Sequence, residues 1–145
     1  MKVNQIAVFL QNKPGCLGDI CRTLADANVN IVTLSLADTQ QFGILRLLVP
    51  DWKNTAAILE KAGFVVQVSE VVAAEIDDKP GGMSRVVDIV TKAGVNIEYA
   101  YAFTAHSGAD AVLIFRFDNT DAAVAALDAA GVKTLSDVEL LRSAK

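Results

Sequence analysis

The stretch Asn12-Lys13-Pro14-Gly15-Cys16-Leu17-Gly18-Asp19-Ile20 joins an alternating, strand-like run to a helix-like one, and it returns as Asp78-Lys79-Pro80-Gly81-Gly82-Met83-Ser84-Arg85-Val86. Pro14 and Pro80 are 66 residues apart, and the same spacing carries Ala27-Asn28-Val29-Asn30-Ile31 onto Ala93-Gly94-Val95-Asn96-Ile97. Two matches at one spacing mark a duplicated module. Proline fixes its own φ and has no N–H to leave unpaired, and glycine tolerates a close or left-handed backbone. Each copy therefore reads as a strand, a tight loop and an exposed helix N-terminus.

Outward from the loop, Gln5 to Gln11 alternates, with Ile6, Val8 and Leu10 on one face. Leu17, Ile20, Cys21 and Leu24 make a helical stripe, repeated as Met83, Val86, Val87 and Val90, with Asn28 and Gly94 closing the two helices. Asn30 to Ala37 and Gly43 to Val49 read as strands joined through Asp38-Thr39-Gln40-Gln41; the matching hairpin runs through Thr104 to Asp110 and is longer. Asp51 caps a helix with Trp52, Ala56, Leu59 and Ala62, ending at Gly63, and its counterpart runs from about Thr120 through Val124 and Leu127 to Gly131. Fourth strands follow at Phe64 to Val68 and in the weak run Val132 to Leu141. Only Ser69 and Glu70 separate Val68 from the apolar run Val71 to Ile76, so a linker is not expected.

Strand, helix, strand, strand, helix, strand is the split βαβ order, a four-stranded antiparallel sheet with two helices on one face. The fold class is therefore α+β, two ferredoxin-like βαββαβ modules, with the division placed at 1–69 and 70–145. Val32, Leu34 and Leu36 read as core in the first copy, whereas Tyr99, Tyr101 and Phe103 hold the opposite parity in the second, so one of the two sets must cover the other face, as a sheet-to-sheet or subunit contact would explain. Arg46 and Arg116 interrupt apolar strands, which suggests a sheet edge or an acidic partner.

The net charge of −4 and pI near 4.9 argue against nucleic acid or an anionic membrane as partner. Met1 to Leu10 lacks the continuous apolar stretch of a signal peptide, so a cytoplasmic protein is expected. Cys16 and Cys21 fall about 140° apart around one helix, which suits neither a disulfide nor a metal pair. His106, the only histidine, reads as a solvated loop residue. With no His/Ser/Asp set, metal-ligand cluster, phosphate loop or dinucleotide fingerprint in the sequence, no catalytic residue, metal or cofactor is expected.

The loop itself suggests a ligand. A free amino acid brings a carboxylate and an ammonium. The N–H groups of Gly15, Cys16 and Leu17 at a helix N-terminus suit the carboxylate, and the side-chain oxygens of Asn12, Asn30, Asp78 and Asn96 suit the ammonium. The alternative is that Pro-Gly only makes a sharp turn and the Asn residues cap neighbouring backbone. A shared topology with RNA-recognition modules raises RNA binding through Tyr99, Tyr101, Phe115 and Phe117, but the acidity opposes it.

Asn12-Lys13-Pro14-Gly15-Cys16-Leu17 followed by Asn28-Val29-Asn30-Ile31 resembles the signature of ACT domains, small ligand-binding modules that regulate amino-acid metabolism. The resemblance covers both halves, and Asp38 to Leu47 is similar to stand-alone bacterial proteins made of two ACT domains. It implies βαββαβ modules that pair side by side, with a free amino-acid effector held at the interface between modules. The implied ligand-binding positions are Asn12, Lys13, Pro14, Gly15, Cys16, Leu17 and Asn30 in the first copy. In the second they are Asp78, Lys79, Pro80, Gly81, Gly82, Met83 and Asn96. The change from Asn12 to Asp78 would make the two sites differ in charge. Some ACT-containing proteins are non-catalytic regulatory subunits, so a biosynthetic enzyme partner is the alternative reading. Exposed sheet edges in this fold favour a homodimer.

Overall fold

The computed structural model describes residues 1–103 and 110–143. In chain order the elements are β1 (Val3–Gln11), α1 (Cys16–Asp26), β2 (Thr33–Asp38), β3 (Phe42–Leu48), α2 (Trp52–Lys61) and β4 (Val65–Ile76). They continue with α3 (Gly82–Lys92), β5 (Ile97–Ala102), β6 (Ala111–Phe117), α4 (Thr120–Ala129), β7 (Thr134–Leu135) and α5 (Asp137–Ser143). Two compact units result: residues 4–69, and residues 70–145 together with Met1–Val3. The longer hairpin of the second copy, with His106, lies in 104–109, outside the described residues.

The first unit has the strand order β2-β3-β1-β4, and the second has β5-β6-β4 with β7 on the other side of β4, which is the same arrangement. The ladders are antiparallel, with Ile6 opposite Leu47 and Val8 opposite Leu45 in one unit and Val72 opposite Phe115 in the other. Fold class thus stands as read: two ferredoxin-like modules. β4 runs without a break through Ser69 and Glu70, its later part holding in the second unit the place that β1 holds in the first.

Residue spacing is preserved inside the two cores. Ile6, Val8, Ile20 and Leu24 are buried with Leu45, Leu47 and Leu59 in the first unit. Their counterparts at the 66-residue spacing, Val72, Ala74, Val86 and Val90, are buried with Phe115, Phe117 and Leu127 in the second. Phe115 and Phe117 stack at 5.5 Å between centroids. Since each set includes residues of both helices, this is the helix-bearing face of each sheet, and α1 packs beside α2 as α3 packs beside α4.

Several sequence readings change here. Leu34 and Leu36 pair with Leu47 and Leu45, so they do point to the helix side, yet they are 49% and 48% exposed. β2 is an edge strand, and Leu34 and Leu36 stay outside the core that the helices cover. Tyr99 and Tyr101 pair with Arg116 and Ile114 on the face away from the helices, while Phe115 and Phe117 belong to the core, so the four aromatics form no common stacking platform. Cys21 is exposed and Met83 is 39% exposed, so neither belongs to the buried stripe. Arg46 and Arg116 are on β3 and β6, both interior strands, which excludes the edge reading. Arg116 Nε lies 3.3 Å from Glu98 on neighbouring β5, and its Nη1 donates to the Glu70 carbonyl at 2.7 Å.

The run Val132 to Leu141 also divides. Only Thr134 and Leu135 form a strand, against Ala74 and Ala73. Ser136 then starts a helix: its N–H donates to Glu139 Oε2 at 2.8 Å and its Oγ accepts from the Glu139 N–H at 3.3 Å. That reciprocal pair is a capping box, Ser-x-x-Glu, and it outcompetes the strand propensity of the flanking apolar residues. At the other end of the second unit Lys2 Nζ lies 2.8 Å from Asp121 and 3.4 Å from Glu70, and hydrogen bonds to Asp121 and then Glu70 raise its pKa above the ordinary lysine value.

Edge exposure and core burial separate cleanly by mutation. Leu45→Ala, at a fully buried position, is expected to cost roughly 2–5 kcal/mol in urea unfolding. Leu36→Ala, on the same face but half exposed, is expected to cost about 1 kcal/mol or less.

Candidate functional site

Each module places its Pro-Gly loop where the first strand ends and the first helix begins. Lys13 N–H donates to the Gln11 carbonyl at 3.0 Å, Cys16 N–H to that of Lys13 at 3.4 Å, and Asp19 N–H to that of Gly15 at 3.0 Å. In the second copy Lys79, Gly82 and Arg85 make the same three bonds to Asp77, Lys79 and Gly81 at 2.9, 3.0 and 3.1 Å. Gly15 and Gly81 are left-handed, with φ of 93° and 89°, a conformation that a side chain would strain.

The helix starts differ in one respect that bears on ligands. α2, α4 and α5 are capped by the side chains of Asp51, Asn119 and Ser136. α1 and α3 begin at glycine and have no side-chain cap. Among the described residues no hydrogen bond engages the N–H groups of Gly15, Leu17 and Gly18, or of Gly81, Met83 and Ser84. The expectation for Cys16 N–H is corrected, since that donor is turned back to Lys13.

Asn12 ties the loop to the β2–β3 hairpin: its N–H donates to the Gln41 carbonyl at 2.9 Å and its Nδ2 to that of Gln40 at 3.0 Å. Its Oδ1 is left as the acceptor. Beside this joint a cleft of about 380 Å³ is lined by Leu10, Gln11, Asn12, Lys13, Leu36, Ala37, Asp38 and Gly43. That volume falls in the range of roughly 300–1,000 Å³ usual for small-molecule sites. Leu10 and Leu36 supply apolar wall, Lys13 a cation and Asp38 an anion. Leu36 and Asp38 were not read as site residues. The signal for them was available in the hairpin Asp38-Thr39-Gln40-Gln41, whose return must bring the end of β2 beside the loop.

Asn30 and Asn96 are not brought to the loops of their own modules. Each lies on the connection that leaves the helix, and the 11 residues of α1 or α3 span about 16 Å from the loop end. Asn30 is exposed, and Asn96 exchanges two hydrogen bonds with Asp118: its N–H donates to the side-chain Oδ1 of Asp118 at 2.9 Å, and the Asp118 N–H donates to its carbonyl at 3.1 Å.

A second pair of cavities lies behind the loops, in homologous positions. In the first unit a pocket of about 210 Å³ is lined by Phe9, Leu10, Gln11, Cys16, Asp19 and Phe64. In the second a pocket of about 150 Å³ is lined by, among others, Glu75, Asp77, Gly82, Arg85, Val132 and Lys133. The backbones correspond and the chemistry does not: Phe9 is replaced by Glu75, Asp19 by Arg85. Gly82 explains the smaller volume. A Cβ there would lie 2.0 Å from the Asp77 carbonyl oxygen, so the second loop closes directly onto its strand. Cys16 has a Cβ at the same place, which requires the first loop to stand off, in keeping with its longer 3.4 Å turn bond.

A family model described as an ACT domain pair matches residues 1–142. No curated protein matches the sequence. Among solved structures, protein BT0572 of Bacteroides thetaiotaomicron is 31% identical, with a TM-score of 0.89 over 97% of this chain and 96% of that one. The regulatory subunit of aspartate kinase from Thermus thermophilus, in its ligand-free form, has a TM-score of 0.62 at 16% identity, covering 88% of this chain and 91% of that one. The corresponding subunit from Thermus flavus has a TM-score of 0.60 at 15% identity, covering 88% and 91%. The likeness to the two kinase subunits is one of fold.

The contrast at the loops is testable through stability. Gly82→Ala is expected to cost about 2 kcal/mol or more because its Cβ meets backbone that cannot rotate away. Cys16→Gly, at the homologous but looser position, is expected to cost about 1 kcal/mol or less in the same denaturation experiment.

Proposed function

Because the chain belongs to the ACT domain pair family, we propose that it is a regulatory protein without catalysis of its own, which binds a free amino acid at its Pro-Gly loops. The observation that carries the reading is that, among the described residues, the two helices following these loops alone start without a side-chain cap, while α2, α4 and α5 each have one. Their free N–H groups and the positive end of the helix dipole suit a carboxylate. In the first module the cleft adds what a zwitterion needs: Lys13 for the carboxylate, Asp38 and Asn12 Oδ1 for the ammonium, Leu10 and Leu36 for an aliphatic part.

The residues assigned to the ligand are Asn12, Lys13, Pro14, Gly15, Cys16 and Leu17, and Asp78, Lys79, Pro80, Gly81, Gly82 and Met83. Asn30 and Asn96, remote from their own loops, would serve the loop of a neighbouring module, as the family's interfacial sites imply. The physiological output is contact with a biosynthetic enzyme whose activity the effector adjusts. Half-exposed Leu34 and Leu36 on the β2 edge favour a second reading, a regulatory subunit acting by protein contact alone.

The two readings separate by ligand binding. Melting temperature measured with each of the twenty amino acids at millimolar concentration is expected to rise for one or a few of them, a ligand at about a hundred times its Kd adding roughly 2.7 kcal/mol. Lys13→Ala and Asp38→Ala are expected to abolish the rise while leaving the unliganded melting temperature within about 2 °C, both being surface positions. No rise with any amino acid would select the contact reading.

A further inference from the structure

The duplicated helices carry opposite charges at equivalent positions. Along one stripe of α1 stand Asp19, Arg22 and Asp26; at the 66-residue spacing α3 has Arg85, Asp88 and Lys92. Residues three and four apart lie on the same helix face, so each triplet is a single row. All six residues are exposed. A groove of about 500 Å³ runs along the α3 row, lined by Arg85, Asp88 and Lys92 with the half-buried Ile89 among them.

The existing partners do not account for the rows. Asp19 and Arg22 pair with each other at 2.6 Å, and Arg85 donates to the Ala130 carbonyl at 2.9 Å. Asp26, Asp88 and Lys92 enter no ion pair among the described residues. The sign patterns read minus, plus, minus and plus, minus, plus. α1 against α3 therefore matches all three charges in either direction, whereas α1 against α1 or α3 against α3 opposes every charge in register and matches at most two when staggered.

We infer that the α1 row of one copy docks in the α3 groove of a second copy of this chain, forming a homodimer through two equivalent α1–α3 contacts. A two-fold axis repeats any such contact, so each dimer gains both, and the homotypic pairings, with fewer matched charges, are disfavoured against it. The pairs are exposed at the rim, so they select the register and speed encounter, and salt screens them. Ile89 supplies apolar contact within the groove.

The test is a charge swap read by sedimentation equilibrium of the full chain. The wild-type dimer is expected to weaken about tenfold between roughly 50 and 500 mM NaCl. Arg22→Glu on α1, or Asp88→Lys on α3, places like charges together at the central pair, which faces its counterpart in either direction, and is expected to raise Kd about tenfold at low salt. The two substitutions combined set an all-acidic α1 row against an all-basic α3 row, restore the match in either direction, and are expected to return Kd to within about threefold of wild type, which a loss of folding could not do. A wild-type monomer at low salt, swaps that leave Kd unchanged, or a combined variant as weak as the single ones would each overturn the inference.

Discussion

A strand that ends at Pro-Gly must turn within about three residues, and the turn is made by a glycine at positive φ whose missing side chain deprives the next helix of a cap. Gly15 and Gly81 impose this in both modules. A serine or aspartate there could accept from the first-turn N–H groups but could not adopt the left-handed backbone cheaply, so the geometry of the loop and the openness of the helix start are one constraint. The direction of α1 over β1, and of α3 over the later part of β4, follows from it. So does the side of each sheet on which the core forms.

The cores tolerate the duplication because equivalent positions trade volume within a module. Ile6, Val8, Ile20 and Leu24 become Val72, Ala74, Val86 and Val90, smaller at every position, while Leu45 and Leu47 become Phe115 and Phe117. Two stacked aromatic rings fill what four shortened side chains vacate. Close packing makes the exchange necessary, since an unfilled methylene in a core costs stability whichever strand it came from.

Most of this was legible in the residues because it depends on local chemistry: the Pro-Gly loops, the period of the helical stripes, Asp51 as a cap and the six-element order repeated at one spacing. What was misread depends on position within the sheet. Leu34 and Leu36 have the parity of core residues, and only the edge placement of β2 leaves them half exposed. Arg46 and Arg116 look like edge residues by charge, but both strands are interior, and Arg116 is accommodated by Glu98 across the ladder. The Ser136–Glu139 capping box was present in the sequence and was hidden by apolar neighbours that suggested a strand. Within the candidate site the loop was legible and the cleft was not, since Leu36 and Asp38 reach it only through the hairpin's return.

Duplication fixes the backbone twice and leaves side chains free to diverge wherever the backbone does not need them. The left-handed glycine could not change, and it has not. Behind it the homologous pockets have changed sign and polarity, Phe9 to Glu75 and Asp19 to Arg85. The single substitution from Cys16 to Gly82 lets the second loop drop onto the Asp77 carbonyl, which a Cβ would forbid. A module that sets a helix in register against the same helix of an identical copy brings like charges together, and only a staggered pairing relieves part of that repulsion. Two diverged modules escape that restriction, and opposite charges at equivalent sites are what the escape permits. The inversion along α1 and α3 is therefore a consequence that duplication makes available to this chain and that a single-module chain could not reach.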